Sequence, residues 1–215
     1  MLKTIRTIVF SLIFCLLPLS VQAATHFLSS PALPPELGSG QGYLLVHVDA
    51  GGSAPSLEFA RIRRAGSEPL EVDEPVRFAA KADKLSLKGL EPGFYLLPLR
   101  AGQYQFTRVN APYYDLPYWM GTDLAANWRF VIEEGRTNYI GDVEIRKERA
   151  SNSVDTNLLN RIAIRKPEIE AAMPDLLIDC PLSFNAGYRD DFFRALIAAD
   201  SVGESAGKST GESAR

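Results

Sequence analysis

Two cysteines and two histidines are all that the 215-residue chain offers to thiol or metal chemistry. They stand far apart, and neither C-x-x-C nor H-x-x-x-H spacing occurs, so no metal centre is expected. The sequence also has no Gly-rich phosphate loop ahead of a helix and no G-x-S-x-G nucleophile turn. Positive charge is scarce: 23 Lys and Arg against 26 Asp and Glu give a net charge of -3, which removes the electrostatic footprint of a nucleic-acid binder. Long apolar runs are absent after the first two dozen residues. What remains is an ordinary globular composition, 46% hydrophobic and 23% charged, with 16 Gly and 14 Pro that promise many turns.

The first 24 residues, MLKTIRTIVFSLIFCLLPLSVQAA, place Lys3 and Arg6 before an apolar run from Thr7 to Leu19. Val21 and Ala23 then suit cleavage after Ala23 or Ala24, the pattern of a secretory signal peptide. The run is short for a membrane span, which needs roughly 17 to 25 residues, and an uncleaved anchor is the competing reading. Cys15 follows Phe14 rather than a small residue, which argues against lipidation. Cleavage predicts a periplasmic or secreted protein with no transmembrane span, moves the net charge to -5, and leaves Cys180 as its lone thiol. Its apolar context, Leu176-Leu177-Ile178-Asp179-Cys180-Pro181-Leu182, suits a buried, inert side chain. A disulfide joining two copies through Cys180, and a nucleophile with His47 as its one partner, are the alternatives.

Residues 25–41, rich in Pro, Ser and Gly, read as a linker or extended arm. A period of two begins at Tyr43, with Leu44, Val46 and Val48 on a core face and Tyr43, Leu45 and His47 opposite. Strands are predicted over residues 57–63, 69–72, 84–87, 94–99, 104–109, 128–133 and 137–146, separated by Gly-containing turns. In the last pair, Trp128, Phe130 and Ile132 share a face, and Tyr139, Val143 and Ile145 oppose Asn138, Asp142, Glu144 and Arg146. This is the pattern of a mainly β fold, an antiparallel β-sandwich of about seven or eight strands over residues 42–150. Residues 151–200 read as a C-terminal extension with a strand and short helices. Its strand would run from Asn160 to Arg165 through Ile162 and Ile164, its first helix would open at Pro167 and end near Pro174, and a second would start at Asp190. The tail, residues 201–215, is predicted disordered.

Asn110 to Gly121 breaks the sandwich pattern, with four aromatics and two prolines in a stretch too irregular for a strand. As a stiff loop it would present Tyr113, Tyr114, Tyr118 and Trp119 as a stacking platform for sugar rings or a hot spot for a protein partner. Alternatively, Tyr118 and Trp119 would fold back as a lid on the open end of the sandwich. The adjacent acidic pairs Glu133-Glu134 and Asp190-Asp191 read as solvated surface, and His47 as a surface or edge residue.

Leu90-Glu91-Pro92-Gly93-Phe94-Tyr95-Leu96 and Ala101-Gly102-Gln103-Tyr104-Gln105-Phe106 resemble the turn-strand units of transthyretin-like, or carboxypeptidase-regulatory-like, sandwiches. Glu134-Gly135-Arg136-Thr137-Asn138-Tyr139-Ile140-Gly141 is similar to a further unit of exported bacterial domains of that shape. Over residues 42–148 the resemblance implies an envelope domain with no catalytic residues to carry over, and therefore no cofactor. The expectation is an exported, non-enzymatic binding or assembly module whose partner is an envelope protein or polysaccharide. The alternative from another class is a carbohydrate-active hydrolase using Asp115 and Glu133 beside the aromatic segment.

Overall fold

The computed structural model describes residues 23–51, 54–62, 78, 82–113, 116–148 and 153–184. The expected signal peptide up to residue 22, the strand expected at 69–72, the helix expected from Asp190 and the tail expected to be disordered lie outside the described residues. Eleven strands are described: β1 Thr25–Phe27, β2 Gln41–Asp49, β3 Ser56–Arg61, β4 Asp83–Ser86, β5 Gly93–Arg100, β6 Gly102–Tyr113, β7 Leu116–Gly121, β8 Arg129–Ile132, β9 Thr137–Glu148, β10 Ser153–Leu159 and β11 Leu182–Ser183. Two helices, α1 Ile162–Ala172 and α2 Pro174–Asp179, lie between β10 and β11. One sheet runs β1-β4-β3-β6-β7 with β8 also on β6, and the other runs β10-β9-β2-β5 with β11 on β9. The mainly β sandwich expected from the alternation is what forms. The pairing is antiparallel except at β1/β4, β11/β9 and the central β2/β9 pair, whose strands are joined through the other sheet.

Alternation explains the core. Leu44, Val46 and Val48 of β2 enter it from one sheet, and Leu57, Phe59, Phe106, Phe130 and Ile132 from the other. The aromatic centre is tight, with Tyr104 stacked on Phe130 at 5.3 Å and Phe106 against Phe130 at 4.8 Å. Such ring pairs add directional packing to the burial of large apolar areas.

The opposite face of β2 carries Tyr43 and Leu45, also buried, because a third layer covers it. That layer is the helical part of the C-terminal extension, whose elements differ from the expected ones. The strand is Ser153–Leu159, with Val154, Thr156 and Leu158 facing inward; Thr156 hides the apolar period. Ile162 begins a helix instead, since Ile162, Ile169 and Met173 recur at helical spacing and all are buried, whereas Ile164 is exposed. Pro167 therefore lies inside α1 rather than at its start. It cannot donate to the carbonyl four residues back, a loss that burial of this apolar stripe offsets.

The arm at 25–41 is pinned to both sheets along one edge. β1 pairs with β4, Ser29 exchanges backbone hydrogen bonds with Leu96 of β5 at 2.9 and 2.8 Å, and the Tyr43 hydroxyl donates to the Pro35 carbonyl.

Candidate functional site

The aromatic segment is a β-hairpin, not a loop: Arg108 to Tyr113 of β6 pair with Leu116 to Gly121 of β7. Pro112 stands opposite Pro117. The Thr122 amide donates to the Thr107 carbonyl, which fixes the alternation so that Pro112 and Pro117 fall at a position where neither strand needs an N–H toward its partner. Pro112 is also beyond Asn110, the last residue of β6 paired with β3, and β7 is an edge strand. Two prolines are thus accommodated where the ladder asks nothing of them.

Strand geometry separates two of the four aromatics expected to act together, Tyr118 and Trp119. Trp119 and Gly121 point to the solvent face of the six-stranded sheet, while Tyr118 shares the other face with Met120, which packs on the core. Trp119 is 62% exposed and Tyr118 40% exposed, so neither folds back as a buried lid. Tyr114 and Asp115 lie outside the described residues, as does the side chain of Tyr113.

Trp119 forms one wall of a cleft of about 320 Å³ on that face. The floor is bare because the residues beneath it are small: Ala60, Ala82 and Gly121, the last directly opposite Arg108. Phe78 supplies a second aromatic, and Glu58, Thr107, Arg108 and Asp123 bring polar groups. The Arg108 guanidinium lies 5.1 Å over the Trp119 ring and 3.8 Å from Glu58, which in turn accepts from the Asn110 amide at 3.1 Å. This chain of contacts crosses β7, β6 and β3 and holds the Trp119 ring in place before any ligand arrives.

Of the two carboxylates of the hydrolase reading, Asp115 lies outside the described residues. Glu133 follows Ile132, which pairs with Gly102 at one end of β6, whereas Tyr113 pairs with Leu116 at the other end. At the rise of a strand, those ends are about 36 Å apart. Glu133 is engaged by Arg136 at 3.1 Å.

A second concentration of polar groups, not foreseen from the sequence, lies between β2, β9 and α1. Asp142, fully buried, accepts from the Tyr139 hydroxyl and from Arg165 through Nε and Nη2, both at 3.0 Å. Arg165 also meets Glu168 at 2.6 Å, and its guanidinium lies 5.9 Å over the Phe94 ring. His47 is 3.7 Å from Asp142 and 3.5 Å from Arg165, with its ring edge-on to Phe94 at 5.1 Å. Beside it, Arg161 reaches Glu144 at 2.7 Å. His47 is therefore an interior residue of a central strand rather than a surface or edge residue. Burial lowers its pKa, against the pull of Asp142, and burial raises the Tyr139 hydroxyl steeply.

Tyr139 reaches this seam because β9 carries a bulge. β2 pairs Leu45 with Tyr139 and then Val46 with Gly141, passing over Ile140. Tyr139 thus leaves the face of Val143 and Ile145, to which simple alternation assigns it, and joins Asp142. Gly141, with φ at +121°, was the one local signal of this shift.

Cys180 is partly buried at the rim of the helical layer, and burial raises its pKa, with Asp179 adding to the effect. Its carbonyl accepts from Thr137, across from Tyr43, whereas His47 lies four residues further along β2, about 13 Å away at the rise of a strand. No Cys-His pair forms. Among the described residues no cluster of three or more His, Cys, Asp or Glu is placed to hold a metal, and no helix is long and apolar enough to cross a membrane. Neither the family models nor the curated proteins compared with this chain give a match.

Proposed function

We propose that the protein is an exported binding module of the cell envelope that grips a polysaccharide in the cleft beside Trp119. The observation that carries this reading is the exposed Trp119 ring, immobilised by Arg108 over a floor of small residues. A flat apolar face flanked by donors and acceptors suits a sugar ring, which presents C–H bonds on its faces and hydroxyls around its rim. The leader at 1–24 supports export, and the transthyretin-like turn-strand units support an envelope domain. The charged seam under α1 serves architecture in this reading: its carboxylates are buried and already answered by Arg and Tyr.

The test is retention on insoluble envelope polysaccharide. Wild-type chain is expected in the pellet and Trp119→Ala in the supernatant, with equal melting temperatures. Equal retention of both proteins would overturn the cleft as the binding site.

A further inference from the structure

Among the described residues, the first that the sheets engage is Ala24. The register of β1 on β4 pairs Thr25 with Lys84 and His26 with Leu85, which sets Ala24 opposite Asp83. The Ala24 nitrogen donates to Asp83 Oδ1 at 2.9 Å, and its carbonyl accepts from the Lys84 amide at 2.8 Å. The other carboxylate oxygen, Oδ2, lies 3.4 Å from Nε2 of His26, whose ring packs on Phe59 at 5.6 Å. Asp83 stands across from Phe59 in the β3/β4 pair and two residues before Leu85, so it shares the face that enters the core. A carboxylate at the rim of an apolar face calls for a cation. The backbone nitrogen that reaches it belongs to one of the two residues at which the leader is expected to be cut.

We infer that export ends with cleavage between Ala23 and Ala24, and that the ammonium so created docks on Asp83 and anchors the N-terminal arm. This step rests on the leader being a signal peptide, and it chooses between the two bonds that the leader leaves open. Hydrolysis breaks the C–N bond between the two alanines, and the oxygen of water goes to the Ala23 carbonyl carbon. The Ala24 nitrogen keeps its hydrogen and takes both protons of the water, leaving a carboxylate on Ala23 and an ammonium on Ala24. That nitrogen already sits at hydrogen-bond distance from Oδ1, so the contact acquires a full charge without moving the chain. Charge-assisted hydrogen bonds are roughly twice as strong as neutral ones. Cleavage one residue later would remove both Ala24 contacts and start β1 without its first rung.

The experiment expresses the full chain in a bacterial host able to export it and sequences the product from its N-terminus. The expected first residue is Ala24. Any other processed start, Thr25 above all, would overturn the docked ammonium while leaving export intact. A chain that keeps Met1 would overturn the leader as a signal peptide, and this inference with it. Docking is read by acylating the exported protein with an N-hydroxysuccinimide ester at neutral pH and weighing its N-terminal peptide, with lysine labelling as the internal reference. The Ala24 amine of the native wild type should react about tenfold more slowly than in the wild type unfolded in urea, because a neighbouring carboxylate holds it as the ammonium. Asp83→Asn keeps an oxygen in place but removes the charge, and should restore most of that rate. If this variant fails to fold, its lysines accelerate too, and the native and unfolded wild type decide between them. Equal amine rates in native and unfolded wild type, or in the wild type and a folded Asp83→Asn, would overturn the docking.

Discussion

The Tyr139 hydroxyl donates to the Asp142 carboxylate although three positions separate them on one strand, a spacing that puts side chains on opposite faces of a regular sheet. The bulge at Ile140 supplies the missing half-period. Through it the Tyr139 hydroxyl is delivered to the face that α1 covers, where it meets the carboxylate that Arg165 also holds. The place of Tyr139 under the helical layer, and its hydrogen bond to Asp142, therefore depend on one irregular step in β9.

Gly141 is the residue that makes the step. At φ +121°, an added Cβ would sit 2.8 Å from the Leu159 carbonyl, which belongs to the backbone of β10. Gly141→Ala is expected to destabilise the protein by about 3 kcal/mol in urea unfolding. An unchanged unfolding midpoint would show that the bulge is not needed.

Asp142 and Arg165 hold the helix to the sheet by charge. Asp142→Ala leaves the guanidinium facing an apolar face without its main partner, and should cost about 3 kcal/mol. Adding Arg165→Met should recover most of the loss, because it removes the stranded charge as well. Hydrogen exchange should accelerate across residues 162–172 in the single variant while the Phe106–Phe130 core stays protected. Uniform acceleration in both regions would contradict a local latch.

His47 should make stability depend on pH. Its folded pKa is lowered from 6.5 by burial, with Arg165 lowering it further and Asp142, Glu168 and Asp49 pulling the other way. The unfolded chain therefore takes up the proton first as pH falls. The stability owed to neutral His47 is complete above 6.5 and is lost as pH drops through the folded pKa. Urea midpoints of the wild type should decline between about pH 7.5 and 5, and His47→Gln should flatten that slope. A wild-type curve as flat as the variant's would remove His47 from the balance.

The two tryptophans should behave oppositely. Trp128 is 4% exposed and packs edge-on to Phe106, so Trp128→Ala should cost about 3 to 5 kcal/mol. Trp119→Ala should stay within about 0.5 kcal/mol of wild type in the same assay. A large loss at Trp119 would mean that its stack with Arg108 is structural rather than held ready for a ligand.

Pro117 guards an edge. On β7 the outward-pointing positions are Pro117, Trp119 and Gly121, and Pro117 offers no donor there. Pro117→Thr restores one and should promote self-association, read as a larger species in light scattering. A monodisperse variant of unchanged size would show that the edge needs no such guard.

Much of the sandwich was legible along the chain, because one buried face imposes strict alternation. The inward set of β2 and the run Trp128, Phe130, Ile132 follow directly from that rule. The aromatic segment misled for a local reason: two prolines look like strand breakers until their partners are known, and Pro112 and Pro117 are each other's partners. Of the residues proposed there, Trp119 takes its place in a cleft and Tyr118 faces the other way. Glu58, Arg108 and Asp123 carry no pattern of their own, since they reach the cleft from separate strands and a turn.

Composition and periodicity alone determined the mainly β class and set the expectations of export and of no metal centre, since these depend on which residues exist and on their spacing along one strand. The partner of each strand was decided only in three dimensions, and with it the parallel β2/β9 pair, the bulge that turns Tyr139 toward Asp142, and the small-residue floor beside Trp119. The physical reason is that side-chain alternation is a property of one strand, whereas registers, bulges and clefts are properties of neighbours that the chain brings together from far apart in sequence.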